Sequence, residues 1–285
     1  NAPIQKAEMM LEPYGLTMPK VARPKEEDAY RRQVSRLCCP KWWRRQVRVL
    51  CQRHCEGLLR DLGETRKQRG IYVSDYTVRR VLQSKQRNRS LLEGMEAEND
   101  LGQVFNLGDL SDKGISNPGI RRGELMTRIR GFEEWVNSNQ PDAWRCMFYT
   151  ITCPSRFHPW YRRGGKNSSY DGSDPVAGQK YLCDTWAKIR SEWAREDIKA
   201  FGFRVAEPHH DGTPHWHLML FVPAQLSKKA TLIMRDYACA VDPGELKNPK
   251  ARRARFTAVK IDPSKGTASG YIAKYISKNI DGYKV

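Results

Sequence analysis

The sequence predicts an α+β fold, in which helices pack on a central antiparallel β-sheet that follows an arginine-rich helical region. Segments rich in β-forming residues occur after about residue 140, where they alternate with segments of helical periodicity. Two of them are joined by a tight Asp211-Gly212 turn, which is typical of an antiparallel hairpin. Strands and helices in this arrangement pack as layers around one core. We therefore predict a mainly helical basic region at 1–140 and a sheet-containing domain at 141–285.

The individual elements follow from apolar periodicity and from the positions of residues that end helices. Helical patterns cover residues 26–62, 74–98, 121–137, 179–200, 225–240 and 267–278. Pro40 separates two helices within the first of these segments, and Ser74 is a suitable N-cap for the second. Strand patterns cover residues 146–152, 203–207, 215–222 and 255–261. Turn-forming residues predict loops at 106–123 and 154–178.

The chain of 285 residues carries a formal net charge of +18 at pH 7. The excess is +8 over residues 1–140 and +10 over residues 141–285, so it belongs to folded surface rather than to a basic tail. Such a surface favours a polyanionic partner such as DNA and argues against an acidic ligand-storage protein. The alternative is a protein that is merely cationic.

The most basic stretch lies in the N-terminal region. Between Arg31 and Cys55 the sequence has eight Lys or Arg residues and no acidic residue, with Trp42 and Trp43 among them. This pattern fits a DNA-facing surface, and it fits equally a solvated helix face whose two tryptophans pack in a core.

Composition also bears on the compartment. No apolar run approaches the roughly 18 residues that a membrane helix needs, and the first ten residues lack the apolar core of a signal peptide. The eight cysteines are therefore expected to be reduced thiols, and we expect a cytoplasmic protein without membrane association. Because the chain begins with Asn1, we expect it to be a fragment of a longer protein.

A group of potential zinc ligands occurs near the N-terminus. Its members are Cys38, Cys39, Cys51, His54 and Cys55, and the last three lie within about one helical turn. The spacing matches no standard zinc finger or ribbon. A structural zinc site and cysteines that pack as small apolar residues are both open interpretations.

The strongest chemical signal is the segment Pro214-His215-Trp216-His217 at the start of an apolar strand. Residues two apart on a strand share a face, so His215 and His217 point the same way and can supply two ligands of a metal site. Glu207 is the preferred third ligand because the hairpin brings its strand back beside His215, and His209 is the second choice. Mixed imidazole and carboxylate ligands suit Mg²⁺, Mn²⁺ or Zn²⁺ in a catalytic site.

A second signal lies near the C-terminal end of the chain. On a helix, Tyr271 and Tyr275 are neighbours on one face, and Lys274 and Lys278 form a second such pair beside them. The alternative is an aromatic core stripe with lysines on the solvent side. Combined with a metal that polarises a phosphate oxygen, a tyrosine hydroxyl can attack phosphorus and form a phosphodiester. A free 3′-hydroxyl can later displace that ester, and two tyrosines permit two successive cleavages.

These residues resemble the His-hydrophobic-His (HUH) endonucleases that initiate rolling-circle replication. The likeness is greatest to the replication gene A proteins of Peduovirus-type tailed phages. Residues 206–218 resemble their metal motif, Tyr271 and Tyr275 their paired-tyrosine motif, and residues 148–155 their first motif. The three motifs occur in the expected order over residues 148–278, whereas residues 1–140 carry only a general likeness.

The resemblance implies an HUH nuclease core at 141–285, with Mg²⁺ or Mn²⁺ as cofactor. It implies a site-specific nick in single-stranded phage-origin DNA, with Tyr271 or Tyr275 joined to the 5′-phosphate. The freed 3′-hydroxyl would prime leading-strand synthesis, and the second tyrosine would end the round by cutting and rejoining. Host helicase and replication machinery are the expected partners, in the bacterial cytoplasm. No Gly-rich nucleotide-binding loop occurs, so helicase activity is expected from another protein.

Two other functions remain open. One is a metal-stabilised DNA-binding module without nuclease activity, and the other is a plasmid initiator, relaxase or transposase of the same superfamily. The predicted loop at 154–178 is a candidate DNA-contacting edge, and its alternative is a disordered solvent loop. Its basic and aromatic residues are Arg156, Trp160, Tyr161, Arg162, Arg163 and Lys166.

Overall fold

The computed structural model describes residues 2–22, 28–139 and 142–280. The chain divides into two compact units, Asn1–Leu58 and Leu59–Val285. The predicted functional division at residue 140 stays a prediction. Among the described helices, none has both the length and the apolar content that a membrane crossing requires.

The first unit is helical, as predicted. Its α-helices are α1 (Ala2–Leu11), α2 (Ala29–Leu37) and α3 (Pro40–Asp61), and the last residues of α3 belong to the second unit. Pro40 is the first residue of α3. Proline is favoured there because the first N–H groups of a helix have no acceptor within the helix, so the missing N–H costs nothing. Trp42 and Trp43 are half-buried and contact each other edge to face, with ring centroids 4.9 Å apart. Trp43 Nε1 also donates to the carbonyl of Leu37 at 2.8 Å. The tryptophans therefore pack within this unit.

The second unit begins with a helical arm. The elements are α4 (Asp75–Glu93), β1 (Glu96–Glu98), β2 (Val104–Asn106), α5 (Leu107–Lys113) and α6 (Pro118–Asn139). Ser74 caps α4 as predicted, since its hydroxyl accepts from the N–H of Thr77 at 3.2 Å. The predictions of helix at 96–98 and of loop at 106–123 were wrong. Asn106 caps α5 through the N–H of Gly108 at 2.9 Å, so this turn-forming residue starts a helix.

The central sheet has four strands, which the sequence predicted to within a few residues. They are β3 (Trp144–Thr152), β4 (Phe201–Pro208), β5 (Pro214–Pro223) and β6 (Phe256–Lys260). The order is β4-β5-β3-β6, and every neighbouring pair is antiparallel. The remaining described α-helices are α7 (Pro175–Arg195), α8 (Ser227–Ala238), α9 (Pro249–Arg255) and α10 (Ala268–Ile280).

Helices cover both faces of this sheet, because alternate residues of β5 enter two different cores. On one face Trp216 and Leu218 pack with α7 and α8, whose core residues include Leu182, Ile189 and Met234. On the other face Met219 and Phe221 pack with α6 and α10, whose core residues include Ile129, Ile272 and Ile276. The predicted α+β fold is confirmed, and α10 lies over the strand face that carries His215 and His217.

Candidate metal and tyrosine site

The β4–β5 hairpin brings Glu207 beside the two histidines. In the strand register Glu207 lies opposite His215, as the sequence predicted. The turn is closed by a hydrogen bond from the His209 N–H to the Thr213 carbonyl at 2.7 Å. Gly212 has a φ of +79°, a conformation that glycine adopts without strain. A local turn and a two-residue strand period are therefore enough to assemble the group.

Glu207, His215 and His217 form the only cluster of three or more potential metal ligands within the described residues. Their ligand atoms all lie within 4.8 Å of one another. The Glu207 Oε2 atom is 3.0 Å from His217 Nε2 and 3.7 Å from His215 Nε2. Glu207 and His217 are buried, and only 12% of the His215 side chain is exposed. One carboxylate and two imidazoles thus converge in a site that is almost closed to solvent.

The surroundings of this cluster fit a divalent metal. Thr150 Oγ1 lies 3.0 Å from His217 Nδ1, the ring nitrogen that faces away from Glu207. This hydrogen bond fixes the orientation of the His217 ring. The Nδ1 atom of His215 is buried without a hydrogen-bond partner in the described parts of the chain. A buried polar nitrogen without a partner is costly, and such atoms mark places where an ion or water belongs.

The protonation states also suit metal ligands. Burial raises the pKa of the Glu207 carboxyl, but hydrogen bonds from His217 and Lys278 outweigh this effect and hold the pKa at about 2. Burial, with smaller contributions from His209 and His217, lowers the pKa of His215 to about 3. At neutral pH the cluster therefore contains a carboxylate and a neutral His215 imidazole, which are the forms that coordinate cations.

Helix α10 brings both predicted tyrosines to this cluster. The ring of Tyr275 lies 4.0 Å from the ring of His217, measured between centroids. Phe148, on the central strand β3, contacts the rings of Tyr271 and Tyr275 at 4.9 and 5.4 Å. The buried core stripe of α10 includes Ile272 and Ile276, and Tyr275 packs against the same core. The tyrosines occupy the adjacent side of the helix, with Tyr271 exposed and Tyr275 half-buried.

The two lysines take different places. Lys278 Nζ lies 3.0 Å from Glu207 Oε1, the oxygen that the histidines leave free. This hydrogen bond raises the pKa of Lys278, so the side chain is charged. Lys274 Nζ lies 4.7 Å from the ring centroid of Tyr275 and 5.9 Å from that of Tyr271. One lysine is therefore bound to the ligand cluster, and the other is placed at the phenols.

Further histidines lie in and beside the hairpin turn. The ring of His209 is 4.7 Å from that of His215 and 5.2 Å from that of His158. His158 Nδ1 is 3.0 Å from the buried Asp211 carboxylate. His209 does not join the cluster that Glu207 forms with His215 and His217. His158 stands alone in the sequence, and no motif marks it.

Arg60 fastens the turn to the rest of the unit. This side chain is 2% exposed, and its donors reach the carbonyls of Asp211, Phe157 and Ser173 at 2.8, 2.6 and 2.9 Å. It also donates to Thr213 Oγ1 at 2.8 Å and to the Tyr170 hydroxyl at 3.2 Å. All five N–H groups of the guanidinium are used. Within a basic helix such a residue resembles any surface arginine, so the sequence gives no signal for it.

The predicted loop at 154–178 is ordered by its own hydrogen bonds. Asn167 is buried and donates to the carbonyls of Ser155 and His158, both at 2.8 Å. Arg156 bonds Asp171 and Asp242 at 2.5 and 3.0 Å, so it is held within the unit. The segment also contains a short 3-10 helix, Ser155–Phe157, and α7 begins earlier than predicted. Among the basic and aromatic residues of the segment, the exposed ones are Tyr161, Arg162, Arg163 and Lys166.

The cysteine group near the N-terminus is not gathered into a zinc site. Cys38, Cys39, Cys51 and Cys55 are all free thiols, and two of them are exposed. Together with His54 they form no ligand cluster in the portion of the chain that the structure describes. Cys38 and Cys39 lie at the junction of α2 and α3, whereas Cys51 and Cys55 lie more than two turns along α3.

The fold and the buried acid–histidine cluster define an α+β protein with a candidate metal site facing two tyrosines. The chain belongs to the bacteriophage replication gene A protein (GPA) family, whose model matches residues 7–283. This match spans both compact units. It supports the phage resemblance that the motifs indicate, rather than a plasmid initiator, relaxase or transposase.

Individual relatives agree with this family. The chain is 43% identical over 274 residues to "Replication gene A protein" of Escherichia phage 186, which covers 95% of this chain and 39% of the relative. It is 39% identical over 261 residues to the protein of the same name from Escherichia phage P2, covering 88% and 33%. It is 36% identical over 252 residues to "Probable replication endonuclease from prophage-like region" of Salmonella typhimurium, covering 87% and 30%.

The chain therefore spans less than two fifths of the length of each of these relatives. No solved structure matches it.

Proposed function

We propose that this chain is a metal-dependent endonuclease domain that nicks single-stranded DNA at a phage replication origin. In this proposal a tyrosine of α10 becomes joined to the 5′-phosphate, and the freed 3′-hydroxyl primes rolling-circle replication. The observation that carries it is the contact of Tyr275 with His217, with ring centroids 4.0 Å apart. A potential nucleophile and a potential metal ligand thus lie side by side in a basic protein.

Glu207, His215 and His217 would hold Mg²⁺ or Mn²⁺. When bound, the metal supplies a positive charge that polarises a non-bridging oxygen of the scissile phosphate. The protein contributes the rigidity of the site. Thr150 fixes the His217 ring, and Lys278 binds the second oxygen of Glu207, so the carboxylate keeps its orientation.

The cleavage step exchanges one phosphate ester for another. The phenol oxygen of Tyr271 or Tyr275 forms a bond to phosphorus as its proton leaves, and the bond from phosphorus to the 3′-oxygen breaks. The 3′-oxygen takes up a proton and departs as a hydroxyl. A free tyrosine has a pKa of about 10, so the phenolate needs stabilisation. Lys274 lies near both rings and supplies positive charge there.

Two tyrosines on one helix allow the reaction to be run twice. The first keeps the 5′ end of the strand bound to the protein while synthesis extends the 3′ end. The second can attack the regenerated origin, and the released 3′-hydroxyl can then displace the first tyrosine and reseal the strand. Phe148 contacts both rings, which supports a role for both phenols at one reaction centre. Host helicase and replication proteins remain the predicted partners.

The test is formation of a covalent adduct. Single-stranded oligonucleotides that tile the genome encoding this chain are labelled at their 3′ ends, because the protein is expected to retain the 5′-phosphate of the downstream fragment. After incubation with Mn²⁺, we expect a labelled protein band on a denaturing gel. The band should vanish in the Tyr271→Phe/Tyr275→Phe double variant. It should persist in Tyr76→Phe, a control of similar exposure on α4.

Other outcomes would count against the proposal. An adduct that survives in the double variant would assign the nucleophile elsewhere. Tight binding of the oligonucleotides without any adduct, at all metal concentrations, would favour the DNA-binding module that has no nuclease activity.

A further inference from the structure

A cavity of about 430 Å³ opens next to the ligand cluster, at the end of strand β3. Its wall includes Thr152, which lies opposite His215 in the sheet, and His209, whose ring is 4.7 Å from that of His215. The volume falls in the range of pockets that hold small molecules or parts of larger ligands. Whatever occupies this cavity therefore lies beside the candidate reaction centre.

The surface of the wall is mostly apolar, and two large aromatic side chains, Trp160 and Tyr161, belong to it. Trp160 is fixed there, because its Nε1 donates to the Arg60 carbonyl at 2.7 Å and Gly63 packs so closely that a side chain would touch the indole. Tyr161 is adjacent and 46% exposed. A fixed indole beside an exposed phenol ring favours a planar ligand that can stack.

The charged side chains of the inner wall of the cavity are already paired with each other or with backbone groups. Arg255 is buried and bonds Glu245 and the carbonyl of Val241, the latter at 3.0 Å. Glu245 also accepts from the N–H of Ser155 at 3.1 Å. A phosphate placed here would meet a carboxylate and no free guanidinium of the inner wall. The exposed Arg162 belongs to the same wall, on the segment that also presents Arg163 and Lys166 to solvent.

Hydrogen-bonding groups complete the wall. The side-chain oxygen of Asn248 caps α9 by accepting from the N–H of Lys250 at 2.9 Å. The amide nitrogen of Asn248 can therefore serve as a donor to a ligand. His210 is held by the Trp160 carbonyl, which lies 3.0 Å from its Nε2. An aromatic wall with a few fixed polar groups is how proteins read an unstacked base.

We propose that this cavity binds one nucleobase of the DNA strand adjoining the scissile phosphate, and that it sets the sequence preference at that position. The inference rests on the proposed nuclease function. The base leaves its stack and lies against Tyr161 and Trp160, while its edge meets Asn248. The phosphates on either side of it meet the exposed basic residues of the 161–166 segment. The base thereby fixes which phosphate reaches the ligand cluster.

The experiment combines base removal with substitution of the wall. Oligonucleotides that the wild-type protein cleaves are synthesised with one abasic site at each position near the nick, and kcat/KM for adduct formation is measured. We expect one position at which base removal lowers the rate about 10-fold or more, which is the size of a lost stacking contact. Tyr161→Ala should lower the rate on intact DNA by a similar factor. In this variant, removing the base at that one position should cause no further loss of rate.

Two further variants sharpen the result. Asn248→Asp keeps the oxygen that caps α9 but replaces the amide donor by an acceptor, so it should change which base is preferred at the same position. Tyr76→Ala is the control, because Tyr76 has similar exposure on α4 and does not belong to the wall of the cavity. It should leave the abasic profile unchanged.

The outcomes separate the two proposals. Suppose that the rate loss from base removal and the rate loss from Tyr161→Ala multiply at every position. This result would overturn the base pocket and leave the nuclease proposal intact. The same holds if Asn248→Asp leaves base preference unaltered at all positions. Absence of any adduct with the wild-type protein would overturn both.

Discussion

The β4–β5 hairpin and helix α10 supply the two halves of the candidate site, and they differ in how firmly they are held. The hairpin presents Glu207 and His217 buried, with Thr150 and Arg60 fixing its strand and its turn. Helix α10 presents Tyr271 42% exposed at the surface of the same sheet face. Under the proposed function this difference corresponds to a division of roles, in which the hairpin forms a rigid ligand cluster and the helix offers accessible nucleophiles.

The ligand cluster should be the most sensitive part. His217→Ala removes one of three converging ligands, so we expect at least a 100-fold loss in adduct formation at fixed Mn²⁺ concentration. In the wild type, added Mn²⁺ should also raise the unfolding temperature, because a ligand that binds only the folded state stabilises it. Differential scanning fluorimetry tests this shift. His54→Ala, at an exposed histidine of α3, is the control and should retain both effects.

The second largest effect is expected at Arg60, which supports the hairpin turn. Arg60→Met leaves the buried carbonyls of Asp211, Phe157 and Ser173 without their donor, and we expect a loss of about 3 kcal/mol in the free energy of unfolding. Arg60→Lys should recover little, because an ammonium cannot reproduce the planar fork of five donors. Urea unfolding measures both. If Arg60→Met and the exposed-site control Arg53→Met lose the same small amount, the turn is held by other contacts.

Acid should loosen the same turn. Burial raises the pKa of Asp211, but the hydrogen bond with His158 outweighs it and the pKa lies well below its usual value. A carboxylate with a depressed pKa adds stability above its unfolded pKa of about 4, and the gain is lost as the pH falls through the folded pKa. We expect Asp211→Asn to be less stable than wild type by about 2 kcal/mol at pH 6, with the gap narrowing toward pH 2. A gap that is constant with pH would contradict this role.

The smallest expected effect is at Thr150. Thr150→Val keeps the volume of the side chain but removes the oxygen 3.0 Å from His217 Nδ1. We expect an approximately 10-fold weaker Mn²⁺ affinity, with little change in the fold, because partners of metal-binding histidines tune affinity rather than create it. Isothermal titration calorimetry gives the affinity. Thr257→Val on β6 is a matched control, because its hydroxyl donates to the Arg253 carbonyl and not to a ligand of the cluster.

The same contrast explains what the sequence could predict. The strands of the main sheet were predictable because their alternation runs over five residues or more, and the ligand cluster followed from that alternation together with one turn. By comparison, β1 and β2 have three residues each, too few for a period to show. Asn106 and its neighbours indicated a loop because the residues that cap a short helix are also those that form turns.

The contacts that hold the site were not predictable, because they join residues that are far apart in the sequence. Arg60 and Asp211 are 151 positions apart, and Thr150 and His217 are 67 apart. Neither pair has a spacing that a local rule could detect. The cavity beside His215 is formed in the same way, since its wall combines the 152–167 segment with the hairpin turn and α9.

The most direct test of the central claim is to locate the nucleotide on the protein after the reaction with single-stranded origin DNA and Mn²⁺. Trypsin cuts after Lys265, Lys274 and Lys278, so Tyr271 and Tyr275 fall in separate peptides, 266–274 and 275–278. After nuclease trimming of the DNA, mass spectrometry should find the added nucleotide phosphate on these peptides. We expect more of it on the second, because Tyr275 contacts His217. A nucleotide bound to any other peptide, or to none, would contradict the account.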